Sequence, residues 1–168
     1  MDLKGLAAAQ QAGDARRLAS YLGNLKGAYT QWLARNERLA QGWRVIQEAP
    51  HVNAPGYDLV LAQGGVYRLV ETKARARLSL GDLHTYVFKH DITGELRFNI
   101  EYFTRNLTQA DPRTLLRSGN FEIEFYLNGP DSTRLAQELI AQMGGTVARY
   151  KFEDVEHEVR IILKAVSQ

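Results

Sequence analysis

Residues 56–73 read Gly-Tyr-Asp-Leu-Val-Leu-Ala-Gln-Gly-Gly-Val-Tyr-Arg-Leu-Val-Glu-Thr-Lys. Two apolar runs flank Gly64-Gly65, a pair suited to the positive φ angles of a two-residue hairpin turn. With those glycines at the centre the register follows by subtraction. Gln63 faces Val66, Ala62 faces Tyr67, Val60 faces Leu69, Leu59 faces Val70 and Asp58 faces Glu71. Opposed residues on paired strands hold their Cβ atoms about 4.5–5.5 Å apart and project to one side. Lys73 lies two residues beyond Glu71 and shares that side. The Asp58 side also carries Val60, Ala62, Tyr67 and Leu69, and the other carries Tyr57, Leu59, Leu61 and Val70. Both sides are largely apolar, which predicts central strands covered on both faces.

Two carboxylates opposed in this way repel, so one protonates or a cation sits between them. A divalent ion with oxygen ligands suits the position, since Mg²⁺ typically takes one or two carboxylates plus water and substrate phosphate. Such an ion polarises a phosphoryl oxygen and lowers the pKa of bound water. Lys73 is then placed to orient that water or to stabilise charge developing on phosphate. Glu-x-Lys alone carries no weight, and its plain alternative is an exposed pair on a strand. The conjunction carries the signal: an apolar strand before the triplet, an Asp where the Gly-Gly turn puts it opposite Glu71, and a Pro-Gly loop before the Asp. Over residues 68–77, Arg68, Lys73, Arg75 and Arg77 stand against one acid, Glu71. Such a cluster attracts phosphate, or is a solvated loop.

Gly56-Tyr57-Asp58, followed thirteen residues after the Asp by Glu71-Thr72-Lys73, resembles the PD-(D/E)xK nuclease superfamily of restriction endonucleases, Holliday-junction resolvases and bacterial toxin nucleases. The surrounding order is similar too, and the likeness spans roughly residues 14–90. It implies a restriction-endonuclease-like core, metal ligation by Asp58, Glu71 and the Thr72 carbonyl, and Lys73 as the catalytic lysine. The cofactor implied is Mg²⁺ or Mn²⁺. Arg75, Arg77 and His84 are the residues expected on nucleic acid. Many members also carry a carboxylate on the first helix, where this chain offers Gln31 and Glu37; that departure leaves room for an inactive, binding-only member. The run from Glu71 through Leu83 is similar to the nuclease domains of polymorphic interbacterial toxins, which would imply action in a rival cell's cytoplasm and a cognate immunity protein. DNA is the expected substrate, with tRNA as the alternative.

Outward from the hairpin, residues 14–41 show helical spacing through Leu18, Tyr21, Leu22, Leu25, Tyr29, Trp32, Leu33 and Leu39, with Asp14 as N-cap and Gly42 as stop. They make one long helix, or two joined at Gly23. The aromatics on it are expected in the core; a stacking surface for bases is the lesser alternative. Residues 1–13 are expected to be a flexible segment ahead of a single domain over 14–168. Strands are predicted at 43–47, 57–63, 66–73, 96–103, 121–127, 147–152 and 158–166, and helices at 79–89, 112–117 and 131–143. The class is α/β, a mixed central sheet flanked by helices. Glu122, Glu124 and the acidic run 153–158 are expected to face outward. Another reading makes the C-terminal half an interaction surface, for a homodimer or an immunity protein.

The 168 residues fit one domain, with 45% apolar and 24% charged residues. No apolar run approaches the roughly 20 residues of a membrane span. The absence of cysteine excludes disulfides, thiolate metal sites and cysteine nucleophiles, and fits action in a cytoplasm. A net charge of +2 does not by itself announce nucleic acid. The four histidines lack metal-ligand spacing, and neither Gly-x-Ser-x-Gly nor a phosphate-binding Gly-rich loop occurs.

Overall fold

Gly64 and Gly65 adopt φ of 57° and 83°, the double left-handed geometry of a tight hairpin turn. The register around them is the one expected, from Gln63 opposite Val66 to Leu59 opposite Val70. The computed structural model describes residues 3–49, 56–74, 88–90, 96–99 and 107–166. The two hairpin strands are β2 (Leu59–Gln63) and β3 (Val66–Lys73), preceded by β1 (Arg44–Glu48). They are followed by β4 (Phe88–His90), β5 (Leu96–Phe98), β6 (Phe121–Asn128), β7 (Val147–Phe152) and β8 (Val155–Val166). The helices are α1 (Leu3–Gln11), α2 (Ala15–Ala40), α3 (Pro112–Ser118) and α4 (Ser132–Met143).

The strands form one mixed sheet in the order β1-β2-β3-β6-β8-β7-β5-β4. β1, β2 and β3 are successively antiparallel, β3, β6 and β8 run parallel, and β7 returns antiparallel to β8. β5 and β4 extend the far edge, joined to β7, among the described residues, through the Arg97–Arg149 bridge. The parallel centre is where coverage on both faces is expected, and every residue of β6 is buried. One face packs Val60, Leu69, Ile123 and Phe125 against Leu115 and Leu116 of α3 and Leu135 and Leu139 of α4. The other packs Leu59, Leu61, Val70 and Tyr126 around Ala34 of α2 and Trp43. None of the helices among the described residues is long and apolar enough to cross a membrane.

Local chemistry sets the ends of several helices. Asp14 caps α2, accepting from the Arg17 N–H at 3.0 Å. Gly23 does not interrupt α2, which is one helix of 26 residues. Asp111 caps α3, with Pro112 just inside, where its missing N–H costs nothing. α4 ends on Gly144 in the left-handed conformation. Asp131 stands at the N-cap of α4 but makes no capping hydrogen bond through its side chain.

Four expectations are corrected. The segment expected to be flexible holds α1, which packs on α2 and buries Ala9. Residues 88–89, expected to end a helix, lie in β4; the rest of that helix, 79–87, falls outside the described residues, as do 100–103 of the strand expected there. β8 starts at Val155 rather than 158, because Glu153 and Asp154 turn the β7–β8 hairpin at φ of 49° and 64°. Last, Glu122 and Glu124 do not face solvent. They are 8% and 0% exposed, held by arginines on the α2 face of the sheet.

The β7–β8 turn carries two non-glycine residues where type I′ geometry favours Asn-Gly. Asp154→Gly should therefore raise the melting midpoint by roughly 2–4 °C, the equivalent of about 1 kcal/mol in a chain of this size. The exposed Lys151–Asp154 pair that it removes is worth little. A thermal melt showing a lower midpoint would contradict this.

Candidate functional site

β3 brings Glu71 and Lys73 to one side of the sheet, and the two side chains form an ion pair. Glu71 lies opposite Phe125 of β6 on the face covered by α3 and α4. Its side chain is 8% exposed, and its Oε2 is buried with no hydrogen-bond partner among the described residues. An orphaned carboxylate oxygen in such a place is costly unless it is protonated or meets a cation. Burial pushes the Glu71 carboxyl up to about 7, the Lys73 ammonium opposes that rise, and the Asp58 carboxylate adds to it.

Asp58 stands one residue beyond the last ladder pair, its N–H donating to the Val70 carbonyl at 3.0 Å. Its carboxylate does not simply lie over Glu71. Oδ2 accepts from both the Thr72 N–H and the Thr72 hydroxyl, each at 2.6 Å. The Thr72 side chain alternates to the α2 face, opposite Glu71, so these bonds draw Asp58 toward the strand edge between the two faces. The bend at Asp58, just after Gly56 with φ of 108°, permits this turn. The expected same-side arrangement thus holds for Glu71 and Lys73 and is altered for Asp58, which still lies close enough to raise the Glu71 pKa.

Set against protein-family models, curated proteins and solved structures, the chain matches none of them. The site therefore rests on its own geometry. Among the described residues, no group of three or more Asp, Glu, His or Cys side chains converges as a metal cage. Arg75, Arg77 and His84 lie outside the described residues. Arg68, counted in the basic cluster by sequence, is not available to phosphate. It is buried, ion-paired to Glu122 and Glu124, and stacked over Trp43 at 4.1 Å.

Of the two helix residues considered as a further ligand, Glu37 is engaged elsewhere, with Tyr126, Arg38 and Lys164. Gln31 reaches the site instead: its Nε2 donates to the Asp58 carbonyl at 3.3 Å. That same carbonyl accepts from the Ala49 N–H at 2.8 Å. Gln31 thereby ties α2 to the bend carrying Asp58, a link across 27 residues that only the fold reveals.

The raised Glu71 pKa has a consequence for stability. Below about 4.5 the carboxyl is protonated in folded and unfolded chains alike; between there and about 7 only the folded chain keeps its proton. Stability should fall as pH rises through that window, by up to roughly 3 kcal/mol. Urea denaturation from pH 4.5 to 7.5 should show this fall in the wild type and a flatter profile in Glu71→Gln. Equal slopes in the two proteins would remove Glu71 as the cause.

Proposed function

We propose that this chain is a metal-dependent phosphodiesterase acting on nucleic acid, with DNA as the favoured substrate and tRNA as the alternative. The observation that carries the reading is the buried Glu71 carboxylate, with Oε2 unpartnered among the described residues, beside Lys73 and within electrostatic range of Asp58. These residues fit a divalent cation, since Mg²⁺ uses one or two carboxylates and completes its shell with water and phosphate. Asp58 and Glu71 would hold it, and the Thr72 carbonyl is the third ligand that the PD-(D/E)xK resemblance suggests. The bound ion would supply Lewis-acid stabilisation of phosphate and a water of lowered pKa.

The chain's own residues have separate tasks in this reading. Thr72 fixes the Asp58 carboxylate through two hydrogen bonds, so little reorganisation is needed when substrate arrives. Gln31 and Ala49 hold the Asp58 backbone from α2 and the start of the preceding loop. Lys73 balances Glu71 in the resting site. On arrival of a phosphodiester its ammonium is placed to turn toward the phosphate, where it would stabilise the added negative charge.

The reading is tested by incubating the protein with plasmid DNA and with total tRNA, in Mg²⁺, in Mn²⁺ and in chelator. Cleavage of either substrate only with metal is expected; no cleavage of either with any metal would reject it. The Glu71–Lys73 ion pair and the lack of a third acidic or histidine ligand among the described residues favour a second reading, a member that binds nucleic acid without cutting it. Salt-sensitive binding without cleavage is its signature.

A further inference from the structure

Five of the eight α2 residues that sequence periodicity assigns to the core are exposed, whereas Leu33 packs against the sheet and Leu18 and Tyr21 are half-buried. Leu22 is 51% exposed, Leu25 37%, Tyr29 43%, Trp32 56% and Leu39 39%. The helix is instead seated on the sheet side by Thr30, Ala34 and Arg38, two of them polar and all buried. A solvated apolar stripe on a helix already anchored from its other side calls for a second surface.

The spacing identifies that surface. Leu18, Leu22, Leu25, Tyr29, Trp32, Asn36 and Leu39 follow one another at intervals of 4, 3, 4, 3, 4 and 3 residues. This is an unbroken heptad seam, with Leu18, Leu25, Trp32 and Leu39 at d and Leu22, Tyr29 and Asn36 at a. Thr30, Ala34 and Arg38 fall at b, f and c, the side opposite the seam. A single Asn at an a position fixes register and favours two parallel strands, because it is satisfied only by its own counterpart. In parallel alignment each g residue meets the partner's next e residue: Tyr21 with Lys26, Ala28 with Leu33, Arg35 with Ala40. None of these places like charges together. With aromatic side chains offering roughly 150–250 Å² each, the exposed parts of the five residues amount to on the order of 500 Å² per copy, against about 800 Å² per partner in a stable pair.

We infer that α2 pairs with α2 of a second copy of this chain as a parallel, in-register two-stranded coiled coil. Light scattering of the wild type should give twice the chain mass of 19.0 kDa. The double variant Leu22→Glu, Trp32→Glu should raise the dissociation constant by more than about 100-fold and give 19.0 kDa with an unchanged far-UV spectrum, since both side chains are more than half exposed in the single copy. The chain contains no cysteine, so Leu39→Cys under oxidised glutathione reports orientation cleanly. A covalent dimer of that single variant supports the parallel pair, whereas cross-linking only in a mixture of Leu18→Cys with Leu39→Cys overturns it. A wild type that stays at single-chain mass at its highest soluble concentration overturns the inference, as does a dimer unaffected by the two glutamates. So does nucleic acid bound by the Tyr29–Trp32 ring pair of a monomeric wild type. None of these readouts uses cleavage, so they stand or fall apart from the proposed activity.

Discussion

Glu124→Ala is expected to destabilise the protein by about 3–5 kcal/mol, the characteristic cost of removing one partner from a buried charge cluster. Glu124 has no solvent exposure and accepts from the Arg38 Nε and from Arg68 Nη1, the latter at 3.0 Å. Arg38 is itself only 4% exposed, and the carboxylates of Glu124 and Glu37 hold its guanidinium above the usual range against the opposing effect of burial. Glu122 extends the cluster from Arg68 to the more exposed Arg160. Without Glu124, Arg38 keeps a bond to Glu37 and one to Gln41 but loses its buried counter-charge. At roughly 2–4 °C per kcal/mol for this size, the melting midpoint should drop by about 10 °C or more. Urea unfolding of Glu124→Ala, Arg38→Ala and the double variant would measure the coupling. The double variant should lose clearly less than the sum of the singles. Strict additivity, or a loss under about 1 kcal/mol for Glu124→Ala, would show that the cluster does not hold α2 to the sheet.

The second large effect is on catalysis. In the proposed site Glu71→Gln should lower the cleavage rate by at least about 10³-fold, since it removes a charged ligand where an ion must be held. Lys73→Ala should cost on the order of 10²–10³-fold, typical for one group that stabilises transition-state charge. The two differ in a second readout. Without the Lys73 ammonium, Glu71 loses the group that holds its pKa down, so the residual activity of Lys73→Ala should need a higher pH. Rates measured from pH 6 to 9 in Mg²⁺, with folding checked by melting midpoint, decide this. Wild-type rates in both variants would detach the activity from the hairpin.

The hairpin register was legible because two adjacent glycines leave little choice of turn, and each residue's partner then follows by counting. The lower limit of α2 was legible for an equally local reason, the Asp14 cap. What the sequence concealed is the direction in which patterns point. Alternation along Phe121–Asn128 separates Glu122 and Glu124 from Ile123 and Phe125. It cannot say that the charged side is buried as well, because that depends on Arg38 and Arg160, distant in the chain. Periodicity along α2 finds a stripe without saying which side the sheet takes, and here the sheet takes the side of Thr30, Ala34 and Arg38. At the site, Glu71 and Lys73 obey the two-residue period of a strand. Asp58 lies past the end of the ladder, where nothing periodic constrains it, and its carboxylate follows the nearest strong donors, both on Thr72.

The claim beneath the proposed function is that Asp58 and Glu71 together hold one divalent cation. Isothermal titration of the protein with Mn²⁺ near pH 8, where Glu71 carries its charge, addresses it directly. The expected result is one ion per chain in the wild type, with binding weakened at least about tenfold by Asp58→Asn and by Glu71→Gln alike. Absence of binding in the wild type, or equal affinity in all three proteins, would contradict the account.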